Sequence, residues 1–165
     1  MNIDDVAQLA GHHRIGERDA ENRMNIDDEC VLSWSQFDVA VCEIARHIAS
    51  QLGTSDRSDV VLLGVPRGGL CLAVALSHAL ELPMVPALSS VKPSHRVVIV
   101  DEIVDTGDTM IETIQSVRTS GAQVEMFVAW VGRAGHKSAL NTVTFISTEH
   151  DTDEWFHFPW EQNDD

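Results

Sequence analysis

Apolar runs longer than a single strand are missing from this chain of 165 residues, although 44% of its residues are hydrophobic. No segment approaches the roughly 20 consecutive apolar residues of a membrane-spanning helix, and the polar N-terminus lacks a signal-peptide core. No membrane contact and a cytoplasmic setting are expected. Cysteine is scarce: Cys30, Cys42 and Cys71 are odd in number and have neither metal-ligand nor redox spacing, which suits reduced thiols in a cytosolic protein. The eight histidines lack the i, i+4 pairing of a helical metal site. Basic residues are few, 11 against 26 acidic ones, for a formal charge of −15. That balance argues against non-specific binding to nucleic acid, whose phosphates would be repelled. The acidity itself is explained most simply by solubility. It also requires any phosphate site to be rescued locally, by backbone dipoles, a few basic side chains or a divalent cation.

What remains is enough for one domain with its own core. Residues 1–29 are polar and form an N-terminal extension expected to be peripheral, with Val6–Ala10 as a short helix at most. Met1-Asn2-Ile3-Asp4-Asp5 recurs unchanged as Met24-Asn25-Ile26-Asp27-Asp28, a match too short to be a structural repeat. The domain proper runs over residues 30–165. Ser33 and Gln36 have the spacing of a capping box, and Trp34, Phe37, Val41, Ile44, Ala45, Ile48 and Leu52 follow a helical period that ends at Gly53. Trp34 and Phe37 read as core anchors. Val60–Val65 is a strand, Pro66-Arg67-Gly68-Gly69 a turn, and Leu70–Leu80 a short apolar helix. Pro83–Leu88 reads as a third strand. Ile111, Ile114 and Val117 mark the buried face of a helix stopping near Gly121; Val124–Val131 and Val143–Ile146 are further strands. This alternation predicts an α/β fold: a single-domain parallel sheet flanked by helices.

The most informative stretch is Val97–Met110, VVIVDEIVDTGDTM. A β-branched run suited to a buried parallel strand leads into two carboxylates, then a turn of Asp105, Thr106, Gly107, Asp108 and Thr109, then a helical pattern. Ligands of open α/β sheets bind beyond the carboxyl ends of the strands. Backbone N–H groups, two hydroxyls and a glycine at a helix start are the components of a phosphate cradle. Pro66–Gly69 repeats the arrangement of strand, glycine turn and helix, as either a second anion loop or an ordinary tight connection. In the tail, Trp155, Phe156, Phe158 and Trp160 crowd an otherwise acidic segment, either to pack on the sheet edge or to face a flat ligand.

Val97–Thr109 resembles the ribose-phosphate signature of the type I phosphoribosyltransferases, and Val60–Gly69 resembles their pyrophosphate loop. From Leu32-Ser33-Trp34 to the Glu154–Trp160 tail, the chain is most similar to the bacterial xanthine-guanine branch of that family. The resemblance implies transfer of a 5-phosphoribosyl group from phosphoribosyl pyrophosphate to a nucleobase of purine type, with Mg²⁺, in a homo-oligomer. It assigns the ribose hydroxyls or Mg²⁺ to Asp101 and Glu102. The 5′-phosphate falls to Asp105, Thr106, Gly107, Asp108 and Thr109, with Asp105 also catalytic at the purine N7 edge. Arg67, Gly68 and Gly69 would hold pyrophosphate, while Trp155 stacks on the base and the Phe156 backbone reads its edge.

The chain departs from that pattern in three places. The acidic pair is Asp-Glu where two Asp or Glu-Asp are usual. The flexible hood that normally precedes the motif is reduced to Ser89–Arg96; Val91 stands where a Tyr commonly follows, and the chain has no tyrosine. The position of a base-contacting Lys is taken by Trp130, with Arg133 and Lys137 as nearby substitutes. Two readings therefore stay open: an active Mg²⁺-dependent transferase, and a non-catalytic module that binds phosphoribosyl pyrophosphate or nucleotide on the same fold. A metal-dependent phosphohydrolase built on Asp101, Glu102 and Asp105 is disfavoured, because those carboxylates lead straight into an anion cradle.

Overall fold

The computed structural model describes residues 29–54, 56–133, 145–150 and 154–161. Residues 1–28 of the polar extension, with its repeated pentapeptide, Lys137, and the start of the strand expected at Val143 lie outside them. The order is β1 (Glu29–Val31), α1 (Trp34–Leu52), β2 (Val60–Gly64), α2 (Gly68–Leu80), β3 (Met84–Val85), β4 (Arg96–Val104), α3 (Asp108–Thr119), β5 (Gln123–Arg133), β6 (Phe145–His150) and β7 (Trp155–His157), with single 3₁₀ turns at Leu88–Ser90 and Pro159–Glu161. Strands β3-β2-β4-β5-β6 form one sheet, and every pair in it is parallel. The parallel α/β fold predicted above is the one observed.

The alternation of side chains along β2, β4 and β5 divides the interior into two cores. Val60, Leu62, Val98, Val100, Met126, Val128 and Trp130 face one side, with Ile44 and Ile48 of α1, Leu72 and Leu76 of α2, and Phe156 and Phe158 of the tail. Val61, Leu63, Val97, Ile99, Phe127 and Ala129 face the other, with Met110 and Val117 of α3 and Val91. Strand β4 is central and therefore buried on both faces, which explains why its sequence is an unbroken β-branched run.

Helix α1 is bounded as its sequence indicates. The Ser33 hydroxyl accepts from the Gln36 N–H at 3.2 Å, Gln36 Oε1 accepts from the Ser33 N–H at 2.8 Å, and the Gly53 N–H closes the far end on Ala49. Phe37 is buried, but Trp34 is 56% exposed: it lies in the first turn, where it meets Phe37 and Trp160 edge-on from outside the core. Other boundaries shift for reasons of tertiary pairing. Helix α2 starts at Gly68, two residues before the expected Leu70, because the glycine pair is itself the first turn. The expected third strand, Pro83–Leu88, contracts to Met84–Val85, since only those residues pair with β2. In α3, Ile111 is exposed and Met110 takes its place in the core. Strand β5 continues to Arg133, carried by its pairing with β6.

Segment 86–95 is fastened along its length. The Val91 N–H donates to the Leu88 carbonyl, and the Val91 side chain enters the core. The Lys92 N–H donates to His95 Nδ1 at 3.2 Å, and the His95 carbonyl accepts from the Gln123 N–H at the start of β5. This stretch spans from β3 to β4 as a tied connection.

Candidate functional site

Two strand ends, each followed by a glycine turn and a helix, meet beside one another. Strand β2 pairs with β4 up to Gly64–Val100, and the Val65 N–H extends the pairing by donating to the Val100 carbonyl at 2.8 Å. The Pro66–Gly69 turn therefore lies against the residues that follow Val100. Contact is at the limit of atomic size. A β-carbon on Gly69 would lie 2.6 Å from the Val100 carbonyl oxygen and 3.0 Å from Asp101 Cα; one on Gly68 would lie 2.3 Å from Glu102 Oε1. Only glycine lets the backbone approach so closely. Arg67 is exposed at the head of α2, and no side chain caps that helix. Its first N–H groups and the positive end of its dipole therefore lie beside the acidic pair.

Strand β4 runs through both carboxylates to Val104 instead of ending at them. Consequently Asp101 points inward and is 6% exposed, while Glu102 is half-buried. Asp101 Oδ1 accepts from the Glu102 N–H at 3.0 Å. Burial, followed by the hydrogen bond and charge of Glu102, pushes the Asp101 carboxyl up to about 9. Cys71, in the first turn of α2, has its thiol raised by burial and by the Glu102 charge. Its thiolate is disfavoured, so it does not suit the part of a nucleophile.

The turn after β4 opens α3 with Gly107 as its N-cap at φ 85°, in the left-handed region that favours glycine. No side chain caps the helix; the Thr106 hydroxyl donates to Asp108 Oδ2 at 2.9 Å and accepts from the Asp108 N–H at 3.4 Å. Asp105, Thr106 and Thr109 are exposed. The turn thus presents hydroxyls and helix-terminal N–H groups to solvent, as an anion cradle requires.

The aromatic tail divides by strand alternation. Phe156 and Phe158 are buried, Trp160 stacks on Phe158 with ring centroids 5.2 Å apart, and Trp155 is 64% exposed. Trp130 is a core residue, edge-on to Phe37 and Phe158, and so is unavailable to a ligand. Arg133, three residues on, reaches the site instead: its Nε lies 3.7 Å from Asp105 Oδ1 and its guanidinium sits over the Phe156 ring at 5.5 Å. The sequence brought Arg133 to notice only as a neighbour of Trp130. Its link to Asp105 and Phe156 joins three distant segments and has no local signal.

Asp101 and Glu102 together offer a two-carboxylate donor set, and no group of three or more acidic, Cys or His side chains that could hold a metal occurs among the described residues. Mg²⁺ characteristically takes one or two carboxylates and completes its shell with waters and substrate phosphates; the half-buried Glu102 suits that part, and Asp101, buried and holding its proton at neutral pH, would have to release it to join.

Known proteins similar to this chain in sequence and structure are phosphoribosyltransferases. A model of the phosphoribosyl transferase domain matches residues 84–165, which include β4, the Asp105–Thr109 turn and the tail. The orotate phosphoribosyltransferase of Methanosarcina mazei is 31% identical over 110 residues, covering 57% of this chain and 58% of that protein. That of Carboxydothermus hydrogenoformans is 24% identical over 148 residues, covering 82% of this chain and 74% of its own. Among solved structures, a purine phosphoribosyltransferase from Pyrococcus horikoshii Ot3 is 28% identical with a TM-score of 0.67, covering 83% of this chain and 97% of that one. The Helicobacter pylori xanthine-guanine-hypoxanthine phosphoribosyltransferase shares the fold at 18% identity, with a TM-score of 0.64.

Proposed function

We propose that the chain is a member of the type I phosphoribosyltransferase family, whose domain matches residues 84–165, and that it transfers 5-phosphoribosyl from phosphoribosyl pyrophosphate to a nucleobase of purine type. The observation that carries this reading is the packing of Gly68 and Gly69 onto Glu102 and Asp101. It sets an anion turn against a pair of hydroxyl-binding carboxylates, one strand away from a second anion turn. A ribose carrying pyrophosphate at one end and phosphate at the other needs that order of groups.

In this reading Arg67, Gly68 and Gly69 hold the pyrophosphate, with N–H groups and one exposed guanidinium supplying charge-assisted hydrogen bonds. Asp101 and Glu102 accept from the ribose hydroxyls or hold Mg²⁺. Mg²⁺ bound there supplies positive charge where the leaving pyrophosphate gathers negative charge. The Asp105–Thr109 turn binds the 5′-phosphate, and Asp105 lies at the imidazole edge of the base, where it can take or return a proton. Trp155, exposed on β7, offers a flat surface to the base, with the Phe156 backbone at its rim. The transition state gathers positive charge on the sugar, so donors fixed before reaction supply most of the stabilisation. Purine salvage by a cytoplasmic homo-oligomer is the setting we propose for this activity.

One observation favours a second reading, a nucleotide-binding module without efficient transfer. Segment 86–95 is held by Val91 in the core and by hydrogen bonds at Lys92 and His95. Those anchors oppose the loop closure that excludes water from such sites. A single assay separates the two: phosphoribosyl pyrophosphate, Mg²⁺ and individual purines or orotate, with pyrophosphate release followed over time. Base-dependent release that disappears in Asp105→Ala is expected. Tight Mg²⁺-dependent binding without release for any base would establish the binding module instead.

A further inference from the structure

We infer that the side chain of Asp108 is a built-in competitor for the phosphate position of the Asp105–Thr109 turn, and that it weakens the turn's hold on a phosphate. The inference rests on the proposed reading of that turn and deepens it. The Asp108 backbone belongs to the cradle, while its carboxylate opposes what the cradle holds.

Asp108 is the first residue of α3, directly after the Gly107 N-cap, and it is the acidic group of that helix's first turn. The positive end of the helix dipole stabilises a carboxylate there, by the same physics that draws a phosphate. The carboxylate is also tied in place. Asp108 Oδ2 accepts from the Thr106 hydroxyl at 2.9 Å, and the Thr106 oxygen accepts in return from the Asp108 N–H at 3.4 Å. One hydroxyl and one helix-terminal N–H, both suited to a phosphate, are thus engaged within the chain. Part of the cradle is already answered by an anion that belongs to the protein.

No basic side chain cancels that charge among the described residues. Their ion pairs join Arg96 to Asp59 and Glu125, and Arg133 to Asp105; none reaches Asp108. A phosphate entering the turn must take the Thr106 hydroxyl from Asp108 and settle beside a negative charge. Two unit charges about 4 Å apart repel enough in water to lower affinity roughly fivefold. Phosphoribosyl pyrophosphate has a second anchor at the Pro66–Gly69 turn. A 5′-monophosphate lacks it, so for such ligands the effect of Asp108 is ready release.

The test is calorimetric titration of the full chain with ribose 5-phosphate and, separately, with pyrophosphate. Asp108 is exposed, so substitution spares the core. Asp108→Asn is the main variant, because the amide keeps an oxygen for the Thr106 hydroxyl and removes the charge. It should bind ribose 5-phosphate roughly fivefold more tightly than wild type at low salt. That gain should shrink as salt is raised to about 1 M. Pyrophosphate affinity should change far less, and Asp108→Glu, which keeps the charge, should behave as wild type does. Ribose 5-phosphate binding that is unchanged or weaker in Asp108→Asn would overturn the inference and leave the proposed function standing. Equal tightening of both ligands would also overturn it, since loss of one unit of net charge anywhere on the chain would do the same. If neither wild type nor Asp108→Asn bound ribose 5-phosphate, the proposed phosphate turn would fall together with the inference.

Discussion

Gly68 and Glu102 occupy one another's margin: a β-carbon on the glycine would stand 2.3 Å from the Glu102 carboxylate, closer than two non-bonded atoms can approach. The next glycine is equally tight but against different matter. Gly69 abuts the Val100 carbonyl and Asp101 Cα, which are backbone atoms of the central strand. The two substitutions should therefore separate site from fold. Gly68→Ala pushes a flexible carboxylate aside and should cost less than about 1 kcal/mol of stability, yet weaken pyrophosphate and Mg²⁺ binding measurably. Gly69→Ala has no flexible neighbour to displace and should destabilise by about 1–3 kcal/mol. Thermal unfolding and calorimetric titration with pyrophosphate check both, and the reverse ordering of stabilities would contradict the packing.

Asp101 makes stability depend on pH in an unusual direction. Its folded carboxyl is raised above the unfolded value of about 4, chiefly by burial. Between the two values the native state holds a proton that the unfolded chain has released, so stability falls as pH rises through that window. The slope from one such group is at most about 1.4 kcal/mol per pH unit. Asp101→Asn should remove this contribution, so that its stability relative to wild type rises from pH 5 to pH 8 in urea unfolding. A difference independent of pH would show that Asp101 ionises normally.

Neighbouring tail residues should respond oppositely. Trp155→Ala removes an exposed ring and should change stability by no more than about 0.5 kcal/mol. The loss of stacking should raise the KM for the base roughly tenfold. Phe156→Ala empties a buried site and should cost about 3–5 kcal/mol. Denaturant midpoints and base titrations in steady-state assays distinguish the two.

The Asp105–Thr109 turn, proposed to hold the 5′-phosphate, has one hydroxyl engaged and one presented. Thr106 is hydrogen-bonded to Asp108, so Thr106→Ala should lower stability by about 1 kcal/mol. Thr109→Ala should leave stability unchanged. In combination they should weaken ribose 5-phosphate binding about tenfold or more, as expected where donors to a charged group are lost. An unchanged affinity in the double variant would remove the turn from the phosphate site.

Much of this architecture could be read directly from the residues. The Ser33–Gln36 capping box, the apolar period of α1 and the β-branched run of β4 are local patterns with short-range causes, and each was legible. So was the order of Pro66–Gly69 before Asp101–Thr109, since the chemistry of a glycine turn or a carboxylate pair is carried by adjacent residues. The exposure of Trp34 and the shortness of β3 were not legible, because strand pairing and the outer edge of the core decide them. Periodicity gives an element a buried face without saying where the neighbouring element stops.

By itself, then, the sequence determined the α/β class, the two candidate anion turns and the acidic pair, because period, turn chemistry and capping act over a few residues. Only the tertiary structure decided which of these groups meet. The Gly68–Glu102 contact depends on the register of β2 against β4. The burial of Asp101 depends on β4 continuing past its carboxylates. The link from Asp105 through Arg133 to Phe156 joins three segments that are remote in the chain, so no local pattern could have announced it.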